Sequence, residues 1–378
     1  MKSLWDRFVL WSVSVSFGLF VGVYLGLIRR RRMSHNSGVA GAGRIKVVQD
    51  QSFPPHPFFA PGREFTARVR HASAGFLDDG MLLVRAMAIK FNDAPVDSPL
   101  DIELNNGRSL FWTTRNFLEF VKMRRNDRGQ CYSEWYEKYP EGRAAAQDSL
   151  AFEPSSYHTL EYTSQCPNLW IGSDGVKRYA CYRVIPKDLE VESLRNSEEE
   201  IGHFDGDQRV KSEGEPKDRN YLKTEYRARV AKGPVQYRLQ VQTRQAQENE
   251  DLEIFNSNKR WDETEFPWHD LAEITIERTF DYEEGQSMWF SLAHHPPGLG
   301  IIPAKSIDDP NSINYMRVKS DTAKRMRMWA EKRRGVQPLI ANAGPRNVDE
   351  FNTEDLLFPE GATGNADLDK AKDPSSAA

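Results

Sequence analysis

The first pattern along the chain is an uninterrupted apolar run near the amino terminus. From Phe8 to Ile28 no residue is charged, and a helix of that length would span about 31 Å, close to the hydrocarbon thickness of a bilayer. Arginines occupy positions 29–32, directly after the run. The pattern predicts an anchor over residues 1–33 that holds a single transmembrane helix, with everything after it in the cytosol. A cleaved signal peptide is the alternative, but it would carry its positive charge mainly in front of the apolar run.

Small residues recur every four positions along this helix, at Gly18, Gly22 and Gly26. Such a ladder forms a groove in which another helix can approach closely. The pattern therefore predicts two partners for the amino terminus. These are the lipid bilayer and a second copy of the chain, in a homo-oligomer formed through the glycine face.

Beyond the helix, the pattern of polar and apolar positions changes twice. Residues 34–48 are rich in glycine and small residues with little to bury, which predicts a flexible linker. Residues 49–335 show strand-like and helix-like periods, as expected of one folded domain. The predicted elements are strands over Thr66–Arg70, Met81–Phe91 and Asp101–Trp112, a turn at residues 105–107, and helices over Phe117–Arg128, Glu134–Gln147 and Ser320–Arg334.

Two segments lack a pattern that could bury a core. The run Glu190–Arg219 is rich in charge and poor in aromatic residues, so we expect a surface loop or surface helix there. Residues 336–378 show no sustained periodicity and end in KDPSSAA, which predicts a disordered or loosely docked tail.

Composition narrows the possible classes of function. The 378 residues are 39% apolar, enough for one substantial core, and the net charge of −4 gives no electrostatic case for binding nucleic acid. The three cysteines match no zinc or redox spacing and are odd in number, which fits a reducing compartment. The sequence contains no Walker loop, dinucleotide fingerprint, HExxH pair or GxSxG elbow.

A series of short motifs carries the strongest functional signal. The central one is FTARVRHA, at Phe65–Ala72, in which an Arg precedes a His by three residues. FPPHPFFAPGREF leads into it, and the motifs that follow in order are VRAMAIKF, DIELNNGRSLFW, DGVKRYACYRVIP, GPVQYRLQVQ, FPWHDLAEITI and FSLAHHPPGLG. In content and order this series resembles the haem catalases, and most of all the catalase-related allene oxide synthases, which act on fatty-acid hydroperoxides. The resemblance implies an α+β fold with a catalase-like antiparallel β-barrel and surrounding helices.

The resemblance also implies a haem b cofactor and a set of site residues. His71 would be the distal acid-base group, because a neutral imidazole can move a proton as the O–O bond of a peroxide breaks. Asn105 or Asn106 would polarise the peroxide oxygen. Guanidinium groups suit the haem propionates, which they can bind through two parallel hydrogen bonds. The cofactor-binding residues would be Arg68, Arg85 and Arg317.

The position of the proximal iron ligand departs from the family pattern. The family uses a tyrosinate four residues after an Arg, whereas Asp321 stands four residues after Arg317 here. An alternative alignment matches Asp321-Thr322 to the Asp-Thr that follows the ligand in catalases and deletes the tyrosine. Tyr315 lies about 240° around a helix from the ligand position and cannot replace it. Asp321 is then either a carboxylate ligand at the metal position or the partner of Arg317 in an ion pair at helical spacing.

Two functions follow from this pattern. The first is a membrane-anchored catalase-like haem protein that converts an organic or fatty-acid hydroperoxide, as an allene oxide synthase-like lyase or as a peroxidase. The alternative is a non-catalytic catalase-like module that has lost its proximal ligand and serves as a binding or scaffold protein. Plain hydrogen peroxide disproportionation ranks third, because the chain lacks both the ligand and the long arms of typical catalases.

Overall fold

The structure is a computed structural model that describes residues 2–74, 79–80, 83–126, 132–150, 153–193, 217–218 and 220–336. The predicted tail after Val336 and most of the predicted loop Glu190–Arg219 lie outside the described residues. Helices within these ranges are α1 (Lys2–Val21), α2 (Thr114–Asn126), α3 (Tyr132–Lys138), α4 (Pro140–Ser149), α5 (Tyr221–Lys232), α6 (Tyr282–Ser287), α7 (Ser312–Lys319) and α8 (Asp321–Arg334), with a π-helix over Gly22–Ile28. Strands are β1 (Gly38–Val47), β2 (Glu64–Ser73), β3 (Arg85–Lys90), β4 (Asp101–Asn105), β5 (Tyr162–Ser164), β6 (Asn168–Ile171), β7 (Lys177–Pro186), β8 (Val235–Gln245), β9 (His269–Thr279) and β10 (Leu299–Ile301).

Eight of the described strands close into an antiparallel barrel. Around the wall the order is β7, β5, β4, β3, β2, β1, β9 and β8, and β8 pairs back onto β7. Strand β6 pairs with the first half of β7, and β10 pairs with β6. The antiparallel barrel with surrounding helices that the sequence predicts is therefore confirmed.

The interior of the barrel is filled by side chains. Alternate positions on every wall strand point inward, as strand geometry requires, and they meet in one apolar cluster. Barrels of eight strands are just wide enough for side chains to fill the lumen. The inward residues include Val39, Ile45, Val69, Ile89, Ile102, Val184, Leu239 and Ile274, each no more than 3% exposed.

Strand β1 overturns the prediction of a flexible linker over residues 34–48. It pairs with β2 on one side and β9 on the other. Its glycines serve close packing, because a Cβ at Gly43 would overlap the carbonyl oxygen of Thr275 and one at Gly41 would lie 2.7 Å from that of Arg278. Small residues in this segment therefore let neighbouring backbones meet, and the barrel begins within the predicted linker.

The other predicted elements are confirmed with changes at their ends. Strand β4 is shorter than expected because Gly107 turns the chain with φ of +67°. The helix expected over Glu134–Gln147 is two helices, α3 and α4, separated at Tyr139 before Pro140, since a proline disfavours helical backbone in the preceding residue. Helix α8 ends at Arg334, before Gly335, as expected.

The N-terminal helix continues through the π-helix without a break. Over Ser3–Ile28 it is long and apolar enough to cross a membrane by length and composition. Part of its surface is packed on the rest of the protein, including Leu10 at 1% and Val21 at 1% exposed. Its opposite side is apolar and exposed, with Leu4, Trp5, Phe8, Trp11, Leu19, Phe20, Val23 and Ile28 each more than 40% accessible.

The glycine face of this helix is covered by helices α7 and α8. A Cβ at Gly18 would lie 3.1 Å from the Lys319 carbonyl oxygen, and one at Gly22 would lie 3.1 Å from the Ala323 Cα. At the end of the helix, Arg30 donates to the carbonyl oxygen of Arg334 at 2.7 Å. The close helix approach expected of this face is thus made within one chain, and self-association through it stays a prediction.

Candidate functional site

A cavity of about 310 Å³ lies outside the barrel, between the outer face of β2 to β4 and helices α2, α7 and α8. The N-terminal helix forms part of the wall through Val21, Leu25 and Gly26. Most other lining side chains are apolar, among them Ala72, Ala86, Ala88, Phe117, Phe120, Phe290, Ile313 and Met316. Among the described residues, a single carboxylate lines the cavity, that of Glu103. The cations that line it are Arg31, Arg32, Arg70, Arg108, Arg317, Lys324 and Arg327.

Two of the site residues named from the sequence lie at this cavity, Asn105 and Arg317. Asn105 ends strand β4 and so sits where the barrel wall meets the cavity. Arg317 is on α7 and donates to Glu103 at 2.6 Å. The structure therefore brings one predicted polarising group and one predicted cofactor-binding group to the same space.

His71 points the other way, into the barrel. It is fully buried and lies opposite the inward-facing Val39 and Met87 on the neighbouring strands. Its Nε2 lies 2.9 Å from the hydroxyl of Tyr237, and the ring packs against that of Tyr226. Burial lowers its pKa to about 3, so the imidazole is neutral. The distal role assigned to His71 stays a prediction, because this arrangement does not bring the ring to the cavity.

Three more of the named residues serve local structure. Arg68 lies outside the cavity and pairs with Asp93 at 2.8 Å. Arg85 donates to the backbone carbonyl of Leu83 at 2.9 Å. Asn106 is buried and donates to the Ser149 carbonyl at 2.7 Å, which fixes the turn after β4. None of these three side chains lines the cavity among the described residues.

Asp321 and Arg317 have partners other than each other. Helices α7 and α8 are separated at Ser320, so the helical spacing that would join the two residues is interrupted. Asp321 accepts a hydrogen bond from the Ser291 hydroxyl and pairs with Lys324 at 3.1 Å. The ion pair expected between Arg317 and Asp321 was therefore wrong.

Several polar residues at the cavity were not among the predicted site residues, and two of them are Arg70 and His35. Arg70 is 5% exposed and sits on the outer face of β2, next to His71 in sequence but on the opposite side of the strand. His35 lies in the segment taken for a linker and has a left-handed φ of +56°, which is uncommon outside glycine. Its Nε2 has no hydrogen-bond partner among the described residues, and burial lowers its pKa to about 3.

The wall on the α7–α8 side does not fit a haem ligated in the family's manner. No tyrosine is among the described residues that line the cavity, and Asp321 is not a lining residue either. Glu103 on the barrel wall is joined directly to the helices by Arg317 at 2.6 Å and Lys324 at 3.2 Å. A haem between barrel and helices would have to separate these ions. We therefore derive no chemical step through haem.

The fold is that of the catalases. A bacterial catalase structure matches with a TM-score of 0.60 at 15% identity, covering 82% of this chain and 60% of the catalase. A fungal catalase matches with a TM-score of 0.55 at 16% identity, covering 88% of this chain and 68% of the catalase. Similarity at that level of identity establishes the fold alone.

Sequence comparison finds two longer curated relatives. It is 36% identical over 293 residues to the allene oxide synthase-lipoxygenase protein of Plexaura homomalla, which covers 76% of this chain and 27% of the relative. It is 28% identical over 307 residues to linolenate 9R-lipoxygenase of Nostoc sp. (strain PCC 7120), covering 76% of this chain and 37% of the relative. No protein-family model matches. The chain is similar to these two relatives over one part of their sequences, and it spans well under half the length of either.

Proposed function

We propose that the protein is a catalase-like module that binds a fatty-acid hydroperoxide, or a closely related oxygenated fatty acid, in the cavity outside its barrel. The observation that carries this proposal is the composition of the cavity wall, which is mostly apolar but, in the part of the chain that the structure describes, holds several cations and a single carboxylate. Such a wall suits a long hydrocarbon chain that ends in an anionic group. The names of two relatives, which include allene oxide synthase and linolenate 9R-lipoxygenase, support the same class of ligand.

A haem-dependent conversion of the hydroperoxide is the second candidate. The cavity lies directly between the barrel and α7–α8, and Asp321, the residue at the family's ligand position, begins α8. Against it stand the absence of a lining tyrosine among the described residues and the direct contact between Glu103 and Arg317. The non-catalytic module is therefore the better supported of the two functions that the sequence left open.

Filling the cavity tests the proposal. Ala86 lines the cavity, so Ala86→Leu should weaken binding of a linolenic acid hydroperoxide by at least about tenfold, because overpacking typically costs 1–3 kcal/mol. Ala228 is exposed on α5, and Ala228→Leu adds the same volume as a matched control. The measurement is the dissociation constant of the full-length protein in detergent, with consumption of the hydroperoxide followed in the same samples.

Equal affinity of the two variants, or no binding by the unmodified protein, would contradict the proposal. A parallel titration with haemin separates the second candidate. Stoichiometric haemin binding with a Soret band, accompanied by consumption of the hydroperoxide, would favour the haem enzyme over the binding module.

A lipid bilayer is the proposed partner of the exposed side of the N-terminal helix. That side carries Trp5, Phe8 and Phe20, each more than half exposed, and apolar helix faces of this kind bury in the membrane interface or core. The covering helix α8 ends in Lys332, Arg333 and Arg334, which are costly in hydrocarbon. While the helix stays docked on α8, only its outer side can therefore meet lipid, and a full crossing would require the two helices to part.

The four arginines that follow this helix favour a cytosolic location for the barrel. Asn249 is exposed in the turn after β8, and Asp251→Thr would make it an N-glycosylation acceptor. We expect no glycan at this site in a eukaryotic expression host. Efficient modification of the variant, absent from an Asp251→Ala control, would place the barrel on the lumenal side.

A further inference from the structure

Two arginines at the cavity are held by neutral groups. Arg32 donates to the Gln286 side-chain oxygen at 2.9 Å and to the Met288 carbonyl at 2.8 Å. Arg70 donates to the carbonyls of His35 at 2.9 Å and Asn36 at 3.0 Å. Carbonyl partners fix the direction of a guanidinium but leave its charge uncompensated.

A third guanidinium, that of Arg327, lies beside these two. It contacts both carboxylate oxygens of Glu331 at 2.8 Å, and it is 2% exposed. The guanidinium groups repel each other. Burial and the positive charge of Arg327 together lower the pKa of Arg70 to about 10. Among the described residues, these three cations thus share one nearby carboxylate, that of Glu331. An anion that entered the cavity would restore the balance.

The surroundings of this arginine cluster, defined as Arg32, Arg70 and Arg327, are apolar. Leu25 and Ala72 line the same cavity as the cluster. A small hydrated anion would gain nothing from such walls, whereas an anionic group attached to a hydrocarbon body would satisfy both parts of the cavity.

We propose that the arginine cluster is the carboxylate-binding end of the cavity, and that it orients an amphiphilic carboxylate with its hydrocarbon body against the apolar walls. The inference rests on the proposed function, for which it names the group that is recognised. Carboxylates on an apolar body come from two sources, fatty acids and the propionates of haem. Both offer the arginine cluster a carboxylate on an apolar body. The experiment therefore has to distinguish a fatty acid from haem.

The test compares linolenic acid with its methyl ester, which has the same hydrocarbon body and no charge. Binding of each to the full-length protein in detergent is measured directly by calorimetry. A hydrogen bond to a charged group contributes enough for the acid to bind about ten to a hundred times more tightly than the ester. Arg70→Met should reduce this ratio to near one by weakening only the acid. Arg44→Met, at an exposed strand arginine paired with Glu277, should leave the ratio unchanged.

A second variant keeps the test decisive if Arg70→Met does not fold. Arg70→Lys retains the charge but loses the fork that reaches two carbonyls, and it should lower the acid-to-ester ratio severalfold. An unchanged ratio in both folded variants would overturn the carboxylate site while leaving the proposed function intact.

Two further outcomes separate the inference from the proposed function. If neither acid nor ester binds and haemin does not bind either, both ideas fail. If haemin alone binds, and Arg70→Lys or Arg70→Met weakens it, the cluster is a carboxylate site whose ligand is a haem propionate, and the fatty-acid function is wrong.

Discussion

The two faces of strand β2 lie in different surroundings. On the inner face, Val69 and His71 are 1% and 0% exposed and are enclosed by the other strands of the barrel. On the outer face, Arg70 and Ala72 line a cavity that holds several cations. Successive side chains along this strand therefore lie alternately in the closed apolar core and at a cavity that can accept a ligand.

This difference favours the outer face of the barrel as the place where a ligand binds. A barrel of eight strands has a lumen that side chains fill, so its interior contributes stability and leaves little room for a ligand. The cavity lies between the outer face of the barrel wall and the helices α7, α8 and the N-terminal helix. We therefore expect substitutions on inner positions to act on the free energy of unfolding and substitutions on outer positions to act on binding.

Two neighbouring residues on β3 test this comparison, and their substitution should give the largest change in the free energy of unfolding. Ile89 is buried in the barrel and lies opposite Val69 and Ile102, whereas Ala88 lines the cavity opposite Arg70. Ile89→Ala should lower the free energy of unfolding by about 2–5 kcal/mol, because it removes buried methyl groups and leaves a cavity. Ala88→Ile should lower it by less than about 1.5 kcal/mol, since the existing space can accept the added atoms.

Urea unfolding and ligand titration on the same two variants provide the measurement. Ligand affinity should be nearly unchanged in Ile89→Ala and reduced in Ala88→Ile. The comparison between faces breaks down if Ala88→Ile is the more destabilising of the two, or if Ile89→Ala is the one that abolishes binding.

Much of the fold could be predicted from the sequence, because motif order and alternation are local signals. Strand β1 could not, since its run of glycine and alanine has the composition of a linker. Only the neighbouring strands show why Gly43 is needed, as any Cβ there would overlap the Thr275 carbonyl. Its pairing partner β9 is more than 200 residues away in sequence, so the cause of the glycines is a long-range contact.

The candidate site was harder to predict than the fold. Alternation along β2 correctly places Arg70 and His71 on opposite faces, but it does not say which face is inside the barrel. That is decided by how the strands close and where α7 and α8 pack, which no local pattern records. The motif FTARVRHA favours His71 as the functional residue and carries no signal for Arg70. His35 carried no signal, because its segment was read as a linker.

The last prediction uses the pH dependence of stability to test which face His71 occupies. Burial lowers its pKa to about 3 in the folded protein, whereas an unfolded histidine titrates near 6.5. Above pH 6.5 both states are neutral and the fold has its full stability. As the pH falls from 6.5 towards 3, only the unfolded state takes up the proton, so stability is lost. Between pH 7.5 and 5 this single residue should remove about 2 kcal/mol from the free energy of unfolding.

His71→Gln should flatten that loss when urea midpoints are compared at pH 7.5 and 5. His35→Gln should flatten it by a similar amount, since its pKa is also lowered to about 3. His295→Gln, on an exposed turn, is the matched control and should leave the slope as it is. A slope unaffected by His71→Gln would mean that the imidazole can be protonated in the folded protein. The ring would then face water or the cavity, and its predicted distal role would regain support.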